Sequence, residues 1–267
     1  MVKCGGTLTV LVIALAVIGL DMHAVDWASD FRKGVKAIHI DLTRFGKSEW
    51  WLIPSGSIAL LVLFADWRAT QRRVAAAWGE IGELAGFFFC TVAAAGLVTM
   101  GLKFLIGRVR PRFAEESTAA FEPFSFAYQH LSFPSGHTTT IVAAATACAL
   151  IFRGRTGLVL FIGVIAVGVA VSRVVVRAHY PSDIIAGAFV GAAFTIIYAY
   201  ALGRSGVAFQ RSCDGSLMPK TTAIRGVYRQ IGIHGLAAGL WQALRGGRRD
   251  QEAAAARPAT DPLSARS

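Results

Sequence analysis

The chain has 267 residues, 54% of them hydrophobic and 16% charged, with a formal net charge of +11. So high an apolar share excludes an ordinary soluble domain and indicates a polytopic membrane protein. The positive charge does not indicate nucleic acid, because Lys and Arg sit in short loops and a tail between apolar runs, as on the cytoplasmic side of a membrane protein.

A bilayer core about 30 Å thick takes roughly 20 apolar residues in a helix. Six segments approach that length: 6–20, 50–65, 81–106, 138–152, 157–171 and 184–202. The short ones need flanking residues to complete the span, or a locally thinner bilayer. The first is followed by "DMHAVDW", with no small-x-small cleavage site, and is expected to remain as an uncleaved helix. Residues 21–49 read as one or two short amphipathic helices on the membrane surface. Residues 1–202 are then a six-span domain and 203–267 a basic tail. In the tail, Ile224, Val227, Tyr228, Ile231, Leu240, Trp241 and Leu244 can share the face of an interfacial helix that its glycines weaken. The end, from "RGGRRDQEAAAARP" onward, is expected to be disordered. Cys4, Cys90, Cys148 and Cys213 lack C-x-x-C spacing and read as buried, inert thiols instead of a disulfide or zinc framework.

With six spans, Lys3, the loop bases Arg68, Arg72, Arg73, Arg153 and Arg155, and the basic tail all fall on one face. The positive-inside rule makes that face cytoplasmic, with both termini inside. The opposite face carries three polar clusters. In "KFLIGRVRP", Lys103 and Arg110 are seven residues apart, about 10.5 Å along a helix axis, and would share one side of a helix ending near Arg110, before Pro111. In "FPSGH", Ser135 and Gly136 open a helix whose free N–H groups form an anion site, with His137 at its mouth to donate or accept a proton. Taken singly, the first cluster also fits snorkelling bases and the second a capped helix with a surface histidine.

The third cluster is "SRVVVRAHYPSD". Arg173 ends one span, His179 follows six residues on, and Asp183 four later. Pro181 suits a first helical turn, so the last helix is expected to start near Tyr180, with His179 and Asp183 about one turn apart. A carboxylate accepting from one imidazole nitrogen frees the other to attack, and a helix N-terminus disfavours the protonated ring. Three bases, two histidines and one acid on one face read as phosphoryl transfer at a membrane surface.

These residues match K-x6-RP, PSGH and SR-x5-H-x3-D in order and in full. The chain resembles the type 2 phosphatidic acid phosphatase (PAP2) superfamily, with motifs from Lys103 to Asp183 and the span plan extending the likeness to about Leu202. The resemblance implies an all-α helical membrane bundle with its active site at helix ends on the outer face. It implies that Lys103, Arg110 and Arg173 hold the phosphate oxygens, with Ser135 and Gly136 completing the cradle. His179 would attack phosphorus to give a phosphohistidine, Asp183 would orient it, and His137 would protonate the leaving oxygen and then activate water. No metal and no cofactor are implied.

The expected function is thus hydrolysis of a lipid phosphomonoester or diphosphate in a cell inner membrane, with the site facing the periplasm. The expected partners are a phosphorylated lipid and membrane lipids. Vanadate-dependent haloperoxidases share the cradle motifs but are soluble. A lipid phosphotransferase stays open, since the motifs do not separate transfer to lipid from transfer to water, and a transporter or inactive scaffold is the reading from another class. Undecaprenyl diphosphate, phosphatidylglycerol phosphate, phosphatidic acid and lipid A 1-phosphate are the substrate candidates. The loop 112–132 carries Phe113, Phe121, Phe124, Phe126 and Tyr128 for the membrane interface or for packing on helix ends, with His130 outside the motifs. Arg108 and Arg112 flank Arg110 and are expected to hold a second phosphate, favouring a diphosphate.

Overall fold

The structure is a computed structural model and describes residues 12–17, 19–114 and 120–255. Its helices in chain order are α1 (Asp21–Ser29), α2 (Lys33–Leu42), α3 (Glu49–Phe64), α4 (Arg72–Ile106), α5 (Gly136–Ile151), α6 (Thr156–Val175), α7 (Pro181–Ser205) and α8 (Thr222–Ala255). The all-α expectation holds apart from a small hairpin, β1 (Phe209–Arg211) against β2 (Leu217–Pro219), antiparallel with Gln210 opposite Met218. Its turn contains Asp214-Gly215, with Gly215 at φ 78°, an Asp-Gly turn signal that the sequence reading passed over.

Helices α4, α6 and α7 are long and apolar enough to cross a membrane. The 20 residues of α6 reach about 30 Å, the thickness of a hydrocarbon core. Leu160, Phe161, Val164 and Val167 of α6 are exposed, as suits a helix whose solvent is lipid. The predicted spans 50–65 and 138–152 correspond to α3 and α5, of 16 residues each, the former with Pro54 inside it. Of the predicted span 6–20, residues 12–17 and 19–20 are described, with 12–17 helical, and the rest lies outside the described residues.

Packing divides the chain into two compact units, Met1–Gly56 with Leu84–Pro219, and Ser57–Glu83 with Lys220–Ser267. In the first, α5 and α7 approach through small residues. A Cβ on Gly187 would lie 2.6 Å from the Ser135 carbonyl oxygen, and one on Gly191 would lie 2.6 Å from that of Thr139. Glycines four apart on one helix let two backbones meet where side chains could not. This contact brings the start of α5 against the start of α7, where Ser135 N donates to the Asp183 carbonyl at 3.0 Å.

In the second unit residues 222–255 are helical, with Val227 and Leu236 packed on Val74 and Ala77. The Glu80 carboxylate accepts from the N–H groups of Ala223 and Ile224 at 3.1 and 3.0 Å, capping the start of α8. Gly232 breaks the helix at φ 65°, while Tyr228, Ile231 and Trp241 stay exposed. Helix α8 runs to Ala255, into the stretch expected to be disordered, and residues 256–267 lie outside the description. Cys148 is buried as expected, but Cys90 and Cys213 are exposed, one on α4 and one in the hairpin turn, and Cys4 lies outside the described residues.

One local expectation is overturned. Helix α4 ends at Ile106, not near Arg110. Gly107 follows in a left-handed conformation, φ 61°, with its N–H on the Lys103 carbonyl at 2.9 Å. A glycine in this conformation stops a helix before any later proline can act. The chain then turns away to bridge Arg108 with Phe121, so Lys103 and Arg110 do not share one side of a helix.

A Cβ on Gly107 would lie 1.7 Å from the Glu122 carbonyl oxygen. Gly107→Ala combines this clash with a left-handed penalty of about 1–2 kcal/mol and is expected to lower the melting temperature in detergent by several degrees. Gly101→Ala, where an added Cβ meets nothing within 4 Å, is the control and should not lower it. Equal melting temperatures for the two variants would contradict the assigned strain.

Candidate active site

Every residue singled out by the motifs lies in the first unit, at helix ends, in the loop between α4 and α5 or in the loop between α6 and α7. Lys103, in the last turn of α4, is buried and donates from Nζ to the Leu131 and Ser132 carbonyls at 2.7 and 3.2 Å. Its Cε is 3.8 Å from where a Cβ on Gly136 would stand, so the lysine lies across the opening of α5. Arg110 donates to the carbonyls of Tyr128, Leu131 and Ala178 at 3.0, 3.1 and 3.4 Å, and its guanidinium stacks 4.1 Å above the Tyr128 ring. Arg173, at the end of α6, donates to Thr43 Oγ1 at 2.6 Å. Its Nε is buried with no hydrogen-bond partner among the described residues.

These bases are drawn together by backbone as well as side chains. The Arg173 carbonyl accepts from the N–H groups of Ala178 and His179, curling the loop after α6 back on itself. Arg110 reaches the same loop through Ala178. Lys103, Arg110 and Arg173 are close enough for their charges to act on one another. Three cations crowded together with a donor unspent form a place prepared for an anion.

Helix α5 begins at Gly136 with Ser135 as its N-cap, and Thr138 donates its hydroxyl to Ser135 Oγ at 3.0 Å. His137 follows in the first turn. Beside it runs the 3-10 turn Thr43–Gly46. A Cβ on Gly46 would lie 2.9 Å from His137 Cβ, so only glycine lets that turn pass. The turn also supplies Thr43 to Arg173. Residues 21–49 do form two short helices, α1 and α2, yet both ends of the segment are drawn into the site.

Helix α7 starts at Pro181 with Tyr180 as N-cap, as the proline predicts. His179 precedes it and is buried, with Nδ1 3.5 Å from Asp183 Oδ2. That is longer than a made N–H···O bond, and such contacts commonly tighten only with substrate bound. Burial pushes the His179 pKa well below the ordinary histidine value. Lys103 and Arg173 push the same way, and Asp183 opposes them. The ring is therefore neutral at neutral pH, the form able to attack an electrophile.

Asp183 is held from three sides. Its Oδ2 accepts from Ser132 Oγ at 2.5 Å and from the Tyr180 N–H at 3.0 Å, while Oδ1 accepts from Arg108 Nη1 at 2.7 Å. Arg108 is fully buried, and its Nη2 donates to Asp21 Oδ2 at 2.7 Å. This overturns the expectation that Arg108 holds a second phosphate, because two carboxylates already claim its guanidinium. The preference for a diphosphate lipid falls with it. Arg112 is exposed, donates to Tyr128 Oη at 3.3 Å and lies 5.7 Å from the Phe113 ring centroid. His130 lies 3.1 Å from Glu122 Oε2 within the loop, apart from the motif residues. Phe113, Phe121, Phe124, Phe126 and Tyr128 are all exposed.

Asp21, Thr43 and Ser132 escaped the sequence reading. Ser132 sits one residue before a motif, and Thr43 carries no signal. Asp21 opens α1 as an acidic residue after an apolar run, which reads as an ordinary interfacial charge.

The family model of the PAP2 superfamily matches residues 84–206. A lipid A 1-phosphatase of Rhizobium etli is 34% identical over 215 residues, covering 78% of this chain and 88% of that protein. The chain belongs to the PAP2 superfamily. A second lipid A 1-phosphatase, from Rhizobium johnstonii, is 36% identical over 181 residues, 65% of this chain and 70% of that one. The crystal structure of a transmembrane PAP2-type phosphatidylglycerolphosphate phosphatase from Bacillus subtilis shares the fold, with TM-score 0.53 and 21% identity over 74% of this chain and 94% of that one. This PAP2 protein is accordingly a membrane lipid phosphatase, a hydrolase of lipid phosphate esters.

Proposed function

We propose that the protein removes the 1-phosphate of lipid A, or of a lipid presenting the same sugar phosphate, through a phosphohistidine on His179. The observation that carries the mechanism is His179 itself, buried and neutral, with Nδ1 turned toward Asp183 and Nε2 left as the attacking atom. Lys103, Arg110 and Arg173 bind the phosphate oxygens and offset the charge that grows on them. The start of α5, at Ser135 and Gly136, adds N–H donors. Attack forms the Nε2–P bond and breaks the P–O bond to the lipid, whose oxygen takes a proton from His137. His137 then draws a proton from water, which attacks phosphorus and releases inorganic phosphate with His179 restored.

Residues 1–202 form the catalytic part, six spans with both termini cytoplasmic. Residues 203–267 form the basic tail. The site opens at the periplasmic face of the inner membrane, where the exposed aromatics of the loop 112–132 meet the headgroup layer. The substrate assignment is supported by the two lipid A 1-phosphatase relatives.

The test is phosphate release by purified protein in detergent from lipid A, phosphatidic acid, phosphatidylglycerol phosphate and undecaprenyl diphosphate, with and without an acceptor lipid. The highest kcat/KM is expected on lipid A, with phosphate appearing in solution. Phosphate found on the acceptor lipid instead would make the protein a phosphotransferase. EDTA is expected to leave the rate unchanged, because histidine and three basic side chains supply nucleophile and charge. A rate abolished by EDTA and restored by magnesium would contradict the assigned mechanism.

A further inference from the structure

Arg108 and Asp21 take no part in the phosphate chemistry above, yet both are fully buried behind it. Arg108 places Nη1 2.7 Å from Asp183 Oδ1 and Nη2 2.7 Å from Asp21 Oδ2. Ser182 locks the arrangement. Its Oγ donates to Asp21 Oδ2 at 2.6 Å and accepts from Arg108 Nη1 at 2.6 Å, and its N–H donates to Asp21 Oδ1 at 3.1 Å. Asp21 therefore caps α7 from the start of α1, a favourable place for a carboxylate.

The charges decide what this can do. Two carboxylates flank one guanidinium, so these three groups together carry one net negative charge beside His179. A guanidinium facing Asp183 alone would neutralise it and weaken it as a partner for the His179 ring. Asp21 takes the second Nη, so Asp183 stays anionic without being fully neutralised. The same contacts fix the carboxylate plane. Oδ1 is spent on Arg108, and Oδ2, steadied by Ser132 and the Tyr180 N–H, is left to face Nδ1. When Nε2 bonds to phosphorus, the ring becomes cationic, and the residual negative charge lies where that cation forms.

We infer that the buried Asp21–Arg108 pair is a positioning device for the nucleophile, setting the orientation and basicity of Asp183 toward His179. The inference rests on the reading of His179 as nucleophile. Neither residue touches substrate, so both act through Asp183. Apolar side chains of similar volume could tie α1 to α7 with less desolvation than a buried ionic triad. A role in packing alone therefore leaves the charges unexplained.

The test uses the full chain in detergent, with whichever lipid of the four the wild type turns over fastest. Arg108→Gln leaves two buried carboxylates without a cation, so one must take up a proton. Its kcat is expected to fall by about 100-fold with KM changed less than about threefold, the signature of an interaction that matters in the transition state. Asp21→Asn alone hands Arg108 wholly to Asp183 and is expected to lower kcat by about tenfold. The double variant removes the surplus charge and is expected to regain at least about tenfold in kcat over Arg108→Gln, a coupling that independent sites do not show. Arg108→Lys keeps the charge without the two-pronged fork and should fall between wild type and Arg108→Gln, which keeps the test sound should Arg108→Gln not fold.

A raised KM with kcat preserved in Arg108→Gln would make Arg108 a phosphate ligand and overturn the inference. So would a double variant no faster than Arg108→Gln, or wild-type kcat in Asp21→Asn. His179→Ala separates the two levels. If it is inactive while these variants keep wild-type kcat, only the positioning role fails. If it stays active, the reading of His179 fails first.

Discussion

Replacing His179 with alanine is expected to lower kcat by at least about 10⁴-fold, since a lost nucleophile typically removes several orders of magnitude. The protein should still insert and fold. Asp183 keeps its bonds to Arg108, Ser132 and the Tyr180 N–H, so no buried charge is left alone. Binding should survive too, because Lys103, Arg110 and Arg173 are untouched. The measurement is phosphate release together with the melting temperature in detergent. A variant that retains even a tenth of wild-type turnover removes His179 from the role.

His137→Ala is expected to be nearly as damaging on a lipid substrate, but in a different way. His137 stands in the first turn of α5 beside Gly46 and is assigned two proton transfers. Losing one general acid-base step is worth about 10²–10⁴-fold. The first transfer matters only when the leaving oxygen is a poor leaving group. An aryl phosphate, whose phenolate departs without a proton, should therefore still phosphorylate His179 in this variant. Hydrolysis of the intermediate still needs the base. The expected result is a burst of phenol matching the enzyme concentration, followed by a slow steady rate. A fall in steady rate with no burst would place His137 elsewhere in the cycle.

The site was legible in the sequence to the degree that its residues are close together in the chain. His179 and Asp183 are one turn apart, and Pro181 between them starts α7 where such a proline should. The rule that reads Pro111 as the end of α4 failed because Gly107 acts first, by adopting a left-handed backbone conformation that side-chain-bearing residues enter only at a cost. What no local pattern reveals is the set of long-range partners. Asp21 meets Ser182 across 161 positions, and Arg173 meets Thr43 across 130. Both partners lie in residues 21–49, whose helical periodicity reads as a surface segment. An isolated acid or threonine in such a segment is indistinguishable from a solvated one until α1 and α2 are placed against α6 and α7. Arg108 misled for a related reason. Its neighbours Arg110 and Arg112 suggested a basic cluster, whereas the turn at Gly107 sends it inward to two carboxylates.

The central claim is that phosphate passes through His179. It is tested most directly by quenching the enzyme within the first turnover on lipid A carrying a radiolabelled 1-phosphate, and then mapping the label. The account predicts an acid-labile, alkali-stable label on the peptide containing His179, absent from His179→Ala and released as inorganic phosphate when turnover proceeds. A label on any other residue, or steady phosphate release with none trapped on the protein under single-turnover conditions, would contradict it.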